Sequence, residues 1–341
     1  MAKSNIIKTA QELLAKGKGI LAADESFPSI KKRFIEHNIV DNEESHSAYR
    51  ELLFSTPEIE KYISGVIMFD ETIKQKTDEG VPFPQYLSYR KIIPGIKVDQ
   101  GTTQFRELSD EKITLGLDGL SERLSEYRSL GAKFTKWRGI FNIGKDLPTE
   151  EFLEENTKLL AEYAFLSQKN ELLPIVEPEV LMTGIHTSAD CLETTSKVLS
   201  IIFKKLRKRK VLLSGLLLKI NMIVPGDQSE EKVTPEIVAK NTLECLIKNV
   251  PKEVPGIVFL SGGQTEQDAT SNLNAIAVAG KKMPWKFTFS YGRALQNSVL
   301  RTWAGKPGNV ILAQQIFLKR SRLNSLASLG KYHLSDEQEQ I

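Results

Sequence analysis

Short apolar runs that end in polar or charged residues recur along this chain, and longer stretches with helical spacing of apolar positions separate them. A short apolar run bounded in this way is typical of a strand that is buried on both faces. The chain is therefore predicted to alternate strand and helix. The predicted strands lie within residues 19–24, 63–70, 93–99, 132–138, 173–179, 216–221, 256–261 and 285–293.

Capping signals mark where several predicted helices begin and end. Thr149 and Thr234 each come just ahead of acidic residues that suit the positive end of a helix dipole, so both are predicted to be N-caps. Gly131 is predicted to end a helix just before the fourth strand. The buried face of that helix is predicted from apolar residues at helical spacing, namely Leu120, Leu124, Tyr127 and Leu130.

Eight strands alternating with helices in 341 residues predict an α/β fold, a single closed (β/α)8 TIM barrel. The main alternative is an open doubly wound sheet, but residues 19–29 lack the glycine-rich turn that normally follows its first strand. The barrel domain is predicted over residues 1–334, and the polar residues 335–341 are expected to form a mobile tail. In a barrel the strand ends meet at one mouth, so their charged residues are predicted to line one site.

Composition and charge narrow the class of protein. A hydrophobic fraction of 40%, a charged fraction of 26% and a net charge of +3 are ordinary for a globular protein and do not favour nucleic-acid binding. The basic run at residues 204–210 fits the C-terminal end of a helix. Without a signal-peptide core or an apolar segment of bilayer length, we expect a cytoplasmic protein with no membrane partner, whose Cys191 and Cys245 are free thiols.

Lys219 lies inside an apolar run, and this position makes it a candidate nucleophile. Burial disfavours the charged ammonium, and an uncharged amine can attack a carbonyl carbon. The alternative is a buried lysine paired with a carboxylate, or one whose head reaches water at the strand end. Neighbouring strands also carry charges at positions i and i+2, which share one face of a strand. The charges predicted to face the barrel axis are Lys97 and Asp99, Lys136 and Arg138, and Glu177 and Glu179.

These charges either form ion pairs that stabilise the mouth or serve a common chemistry. An amine that forms a carbinolamine needs a partner that delivers and removes protons, and Glu177 or Glu179 fits that role. Asp24 could accept a proton from a substrate hydroxyl. Lys136 could favour the uncharged Lys219 by repulsion and stabilise developing negative charge. The resulting iminium is an electron sink, so a bond can break without a metal or an organic cofactor.

Two glycine-containing loops indicate an anionic substrate, although ordinary turn geometry explains either loop alone. They are residues 261–264 and 290–294, which follow the seventh and eighth strands, where barrels often bind phosphate. Across the mouth, a second anionic group could be held by Ser26, Ser29, Lys32, Arg33 and Lys97. No pair among the four histidines has metal-ligand spacing and no G-x-S-x-G motif occurs, so no metal and no cofactor is predicted.

Motifs in this order along nearly the whole chain resemble the class I, Schiff-base fructose-bisphosphate aldolases. The matching segments are GILAADES (19–26), GIKVD (95–99), LDGLSER (117–123), AKFTKWR (132–138), IVEPE (175–179), LLK (217–219), FLSGGQ (259–264) and FSYGRAL (289–295). The resemblance implies reversible cleavage of fructose 1,6-bisphosphate into dihydroxyacetone phosphate and glyceraldehyde 3-phosphate. It also implies a homotetramer. The alternatives are the same chemistry on sedoheptulose 1,7-bisphosphate or fructose 1-phosphate, and a phosphosugar-binding scaffold without turnover.

The resemblance further implies roles for individual residues. Lys219 matches the lysine that forms the Schiff base, Glu177 its acid/base, and Asp24 the group that deprotonates the C4 hydroxyl. The matching supporting residues are Glu179, Lys136 and Arg138. The expected C1-phosphate site is Ser261, Gly262, Gly263, Ser290, Gly292 and Arg293. The expected C6-phosphate site is Ser26, Ser29, Arg33 and Lys97.

Some positions depart from the family pattern. Ile220 follows the nucleophile where animal relatives have proline, Gln100 interrupts a Lys-Val-Asp-Lys-Gly segment, and His46 falls where they have arginine. No tyrosine occurs after Tyr332, whereas many relatives end in a tyrosine that helps to protonate the enamine. We therefore expect Glu177, a bound phosphate or water to protonate it here.

Overall fold

A computed structural model describes residues 2–107 and 109–339. The strands are β1 (Gly19–Ala23), β2 (Ile63–Met68), β3 (Ile93–Lys97), β4 (Thr102–Gln104), β5 (Lys112–Thr114), β6 (Phe134–Phe141), β7 (Leu173–Val180), β8 (Leu217–Ile220), β9 (Gly256–Phe259) and β10 (Lys286–Tyr291). All except β4 and β5 form a closed parallel barrel in the order β1-β10-β9-β8-β7-β6-β3-β2. The predicted (β/α)8 barrel is confirmed, and each predicted run overlaps one of its strands, although β6 and β7 extend past the predicted ends at residues 138 and 179.

Helices join and surround the strands. The α-helices are α1 (Ala2–Leu13), α2 (Phe27–Glu36), α3 (Glu43–Ser55), α4 (Asp70–Lys74), α5 (Phe83–Tyr89), α6 (Leu120–Ser129), α7 (Glu150–Lys169), α8 (Ser188–Lys208), α9 (Pro235–Asn249), α10 (Glu266–Ala279), α11 (Arg293–Trp303) and α12 (Val310–Ser328). Short 3-10 helices lie at Ile59–Lys61, Leu213–Gly215, Pro307–Asn309 and Leu334–Gln338. In the described residues, no helix combines the length and hydrophobicity needed to cross a bilayer.

The interior of the barrel is apolar at its N-terminal end, where α1 closes it. The helix contributes the buried side chains Ile6, Ala10, Leu13 and Leu14. They pack with inward-facing strand residues, namely Ile20, Ala22, Ile67, Phe134, Leu173, Ile175, Leu217 and Val258. Gly65 and Gly256 make room for this helix, because a Cβ at either position would collide with Leu13 or Leu14. A second, larger core lies between the strands and the outer helices.

The helix signals have mixed outcomes. The Thr149 hydroxyl accepts from the Phe152 amide and caps α7 as predicted. Thr234 precedes α9, but its side chain makes no capping hydrogen bond. The stripe on α6 is correct except at Leu130, which is 37% exposed. Leu130 follows the last residue of α6 and so leaves the helix's buried face.

Cys191 in α8 and Cys245 in α9 are buried free thiols, as predicted.

Near the C-terminal end of the described residues, the 3-10 helix Leu334–Gln338 contacts α12. The Glu337 carboxylate accepts from Arg320 at 2.7 Å, and Lys319 donates to the Glu337 carbonyl at 2.8 Å. The expected mobility of residues 335–341 stays a prediction, and residues 340–341 lie outside the described part.

Candidate active site

Four charged side chains of alternating sign form a continuous row at the C-terminal mouth of the barrel. Lys136 Nζ lies 2.6 Å from Asp24 Oδ2 and 3.2 Å from Glu177 Oε2. Lys219 Nζ lies 3.0 Å from the other oxygen of Glu177, Oε1. No side chain in the row is more than 10% exposed. The row Asp24–Lys136–Glu177–Lys219 is therefore a buried network in which every charge has an opposite neighbour.

The strands bring the row together. Asp24 directly follows β1, while Lys136, Glu177 and Lys219 lie on β6, β7 and β8. These last three strands are neighbours in the barrel, with Lys136 paired to Ile175 in the register of β6 and β7. Because alternate residues of a strand share a face, the inward-facing charges follow directly above the apolar residues that contact α1.

Electrostatic pairing outweighs burial in this row. Burial alone would raise the pKa of Asp24, but the ammonium groups of Lys136 and Lys219 lower that pKa below its ordinary 3.8. The same balance lowers the pKa of Glu177 below 4.5. Burial alone would lower the pKa of Lys136, whereas the carboxylates of Asp24 and Glu177 raise it above 10.5. At neutral pH both carboxyls are ionised and Lys136 is charged.

The contact between Glu177 and Lys219 bears on both interpretations of the buried lysine. The lysine is paired with a carboxylate, and that carboxylate is also within proton-transfer distance of the amine. Repulsion from Lys136, which the sequence led us to expect, is offset because two carboxylates share the Lys136 charge. The geometry instead gives Lys136 a position between the two candidate acid/base groups.

The rim holds the remaining predicted pairs. Lys97 Nζ lies 2.9 Å from Asp99 Oδ1, and the ammonium sits 5.4 Å from the centre of the Phe69 ring. Arg138 on β6 donates through Nε to Glu179 on β7. These contacts match the ion-pair alternative, yet the Arg138 side chain remains 41% exposed and accessible from the mouth.

The two glycine loops lie side by side, because β9 and β10 are paired. Gly262 has a φ of +56°, which turns the first loop. In the second loop, Ser290 is buried and its Oγ makes no hydrogen bond to the described residues. Gly292 is the N-cap of α11 and Arg293 its first residue, so the start of a helix follows Ser290 within three residues. Such a helix N-terminus suits an anion.

Partial desolvation at the mouth lowers the pKa of Arg293, the nearby cations Arg138 and Arg33 add to this effect, and Glu179 opposes it. The guanidinium groups of Arg293, Arg138 and Arg33 are therefore close enough to repel one another. An anion placed there would relieve their mutual repulsion.

Ser26 and Ser29 lie at the start of α2, with their hydroxyl oxygens 3.2 Å apart. Arg33, one turn further on, is held by the Glu25 carboxylate. Glu25 also pairs with the buried Arg50 on α3, at 2.9 Å. Sequence reasoning missed Glu25 and Arg50. The acid next to Asp24 was a possible signal for Glu25, but Arg50 lies on a helix face with no distinguishing pattern.

Met182, in the segment after β7, was also missed. The Gly263 amide donates to its sulfur at 3.3 Å. No sequence signal connects these positions, which are 81 residues apart. In residues 2–107 and 109–339, no group of three or more histidine, cysteine, aspartate or glutamate side chains is arranged to hold a metal ion.

Known proteins are similar to this chain over nearly its whole length. The family model described as fructose-bisphosphate aldolase class-I matches residues 5–341. A probable fructose-bisphosphate aldolase class 1 of Xanthomonas axonopodis pv. citri is 47% identical, covering 97% of this chain and 99% of the relative. The cytosolic fructose-bisphosphate aldolase 5 of Arabidopsis thaliana is 50% identical, covering 96% of this chain and 91% of the relative.

A solved structure extends the similarity to three dimensions. It is fructose-bisphosphate aldolase from Plasmodium falciparum in complex with TRAP and a small-molecule inhibitor. That chain is 48% identical and superposes with a TM-score of 0.95, with 97% of this chain and 96% of the other covered. This chain belongs to the class I fructose-bisphosphate aldolase family and is a lyase.

Proposed function

We propose that the enzyme cleaves fructose 1,6-bisphosphate reversibly through a Schiff base on Lys219, giving dihydroxyacetone phosphate and glyceraldehyde 3-phosphate. The observation that carries the proposal is the 3.0 Å contact between Lys219 Nζ and Glu177 Oε1 within a buried, charge-balanced row. An amine next to a proton carrier can add to a ketone and then lose water.

The reaction uses the row in order. The Lys219 amine attacks the C2 carbonyl carbon, and Glu177 relays the protons that convert the carbinolamine into water and an iminium. Asp24 removes the proton from the C4 hydroxyl, the C3–C4 bond breaks, and its electron pair enters the iminium to form an enamine. Glu177, a bound phosphate or water then protonates the enamine, and water releases the product. Lys136 stabilises the carboxylates at both ends of this proton path.

Two anion sites orient the sugar along the mouth. We assign the C1 phosphate to Ser261, Gly262, Gly263, Ser290, Gly292 and Arg293. The buried Ser290 hydroxyl, which makes no hydrogen bond within the described part of the chain, and the start of α11 support this assignment. We assign the C6 phosphate to Ser26, Ser29, Arg33 and Lys97. The neighbouring serine hydroxyls at the start of α2 support the second site, and Arg138 and Glu179 support the reacting sugar between the sites.

The test compares kcat/KM for fructose 1,6-bisphosphate, fructose 1-phosphate and sedoheptulose 1,7-bisphosphate, in the wild type and two variants. Fructose 1,6-bisphosphate is expected to be the best substrate. Lys97→Ala should reduce kcat/KM for the two bisphosphates more than for fructose 1-phosphate, because it removes only a distal contact. Arg293→Ala should reduce kcat/KM for all three substrates by a similar factor. A higher kcat/KM for sedoheptulose 1,7-bisphosphate, or equal effects of Lys97→Ala on all substrates, would contradict the assignment.

We also propose that the enzyme acts in the cytoplasm, in glycolysis and gluconeogenesis, as a homotetramer. Relatives named as cytosolic isozymes support the location, and the resemblance to the family supports the assembly. Sedimentation velocity of the purified enzyme at working concentration tests the assembly. A monomer would reject it.

A further inference from the structure

The Met182 side chain lies across the first glycine loop. Its sulfur accepts the Gly263 amide at 3.3 Å, and a Cβ built on Gly262 would lie only 2.9 Å from that sulfur. The thioether thus covers the surface of the loop on the side where Gly262 lacks a side chain. It occupies the hydrogen-bonding direction of one of the amides assigned above to the C1 phosphate.

The backbone beneath this side chain is fixed. The Met182 carbonyl accepts from the Asp227 amide at 2.7 Å, and the Asp227 carboxylate accepts from Gly184 at 2.9 Å. The preceding residue, Leu181, donates to the Phe141 carbonyl at 2.9 Å. The methionine side chain itself has flexible torsions. The sulfur can therefore swing away from Gly263 without moving the loop that carries it.

A thioether is a weak hydrogen-bond acceptor, whereas a phosphate oxygen is charged and binds an amide about twice as strongly. A phosphate therefore displaces the sulfur at little cost. A sulfoxide differs, because its oxygen is a strong acceptor on the same side chain. Hydrogen peroxide converts the thioether to a sulfoxide by transferring one oxygen to sulfur, which loses two electrons while the peroxide becomes water.

We propose that Met182 is an oxidation-sensitive cover of the phosphate loop, and this inference rests on the C1-phosphate site proposed above. Reduced Met182 gives up its hydrogen bond with the Gly263 amide when the substrate phosphate binds. Oxidised Met182 retains a hydrogen bond with this amide through its sulfoxide oxygen and so competes with the phosphate. Oxidation thus weakens substrate binding and leaves the Lys219 chemistry intact, so KM rises while kcat is retained.

Exposure divides the methionines of the described residues into two accessible and two buried ones. Met182 is partly exposed at the mouth, whereas Met68 and Met222 are 0% and 1% exposed. Met283 is also partly exposed. It lies just before β10, at the opposite end of that strand from Ser290, and provides the matched control. Met1 lies outside the described residues, and mapping its oxidation separately keeps it from confusing the result.

The test treats the wild type, Met182→Leu and Met283→Leu with hydrogen peroxide and maps sulfoxides by mass spectrometry. Each treated enzyme is compared with its own untreated sample for kcat and KM on fructose 1,6-bisphosphate. In the wild type and Met283→Leu, KM should rise about fivefold, as expected when a neutral competitor holds one amide. Met182→Leu should keep its KM. Methionine sulfoxide reductase should restore the treated wild type, whereas a thiol reductant should not.

The binding of dihydroxyacetone phosphate, measured by calorimetry on the same samples, gives a second readout that needs no turnover. Absence of turnover by untreated enzyme would defeat the proposed function, while an affinity loss confined to enzymes with oxidised Met182 would still support the cover. An unchanged affinity in wild type with Met182 sulfoxide would overturn the inference. An equal loss in treated Met182→Leu would do the same.

Discussion

The two halves of the barrel interior are built from the same strands but have opposite character. The half closed by α1 is built around a cluster of buried apolar side chains, and the half at the mouth contains a buried row of charges. A single residue along a strand separates the halves, as between Ile175 and Glu177 or between Leu217 and Lys219. Desolvation of each buried ion costs several kcal/mol, whereas burial of an aliphatic side chain is favourable. The apolar half supplies stability, and the charged half is retained for chemistry.

The largest expected effect comes from breaking the charged half at its centre. Lys136→Met leaves the carboxylates of Asp24 and Glu177 buried without their shared cation. We expect a loss of about 3–5 kcal/mol in the free energy of unfolding and a decrease of at least about a hundredfold in kcat. Urea unfolding and steady-state kinetics measure both quantities.

A matched triple variant separates unpaired charge from lost packing. Combining Lys136→Met with Asp24→Asn and Glu177→Gln removes the two carboxylates that contact Lys136, and it leaves Lys219 without its carboxylate partner. This variant should regain part of the lost stability and remain inactive. If Lys136→Met is as stable as the wild type, the row is not the coupled network described here.

The next effect is expected in the apolar half. Leu13→Ala opens a cavity under α1, because Leu13 is fully buried, and should cost about 2–5 kcal/mol of unfolding free energy. The value of kcat should not change at temperatures where the variant is folded. Lys8→Ala, at a position 72% exposed on the same helix, is the control and should change stability by less than about 0.5 kcal/mol. A loss of kcat in folded Leu13→Ala would mean that the two halves are not independent.

The smallest effect is a dependence of stability on pH. The native pKa values of Asp24 and Glu177 lie below 3.8 and 4.5, so the unfolded chain binds more protons as the pH falls through this region. Their contribution is present above these ordinary values and is lost as the pH falls towards the lowered native pKa values. Below pH 4.5 the wild type should therefore lose more unfolding free energy than the triple variant. The free energy of unfolding of both proteins, measured as a function of pH, tests this prediction. Equal losses in the two proteins below pH 4.5 would refute it.

The sequence predicted the barrel strands because each is a short apolar run that ends in polar residues. The same principle failed for β4 and β5, whose three-residue strands contain several exposed residues and no apolar run. The sequence pattern also gave no reason to place α1 against the N-terminal end of the barrel. That contact depends on Gly65 and Gly256, whose role is evident only when Leu13 and Leu14 are placed against them.

The residues of the candidate site also divide into those that the sequence pattern predicted and those that it did not. Lys136, Glu177 and Lys219 were predictable because a charge inside an apolar strand run is conspicuous, and the alternation of strand faces directs it inward. The contacts of Glu25 with Arg33 and Arg50 carried much less signal, because Glu25 is marked only by its position next to Asp24 and Arg50 lies on α3 with no distinguishing pattern. Contacts made across the fold by loop residues, such as Met182 with Gly263, carry no spacing signal at all.

The proposed reaction depends most on the covalent role of Lys219. Borohydride reduction in the presence of dihydroxyacetone phosphate, followed by peptide mass mapping, should place a stable adduct on Lys219. Lys219→Met should form no adduct and have no turnover, although it folds. An adduct on another lysine, or turnover that persists in Lys219→Met, would contradict the account.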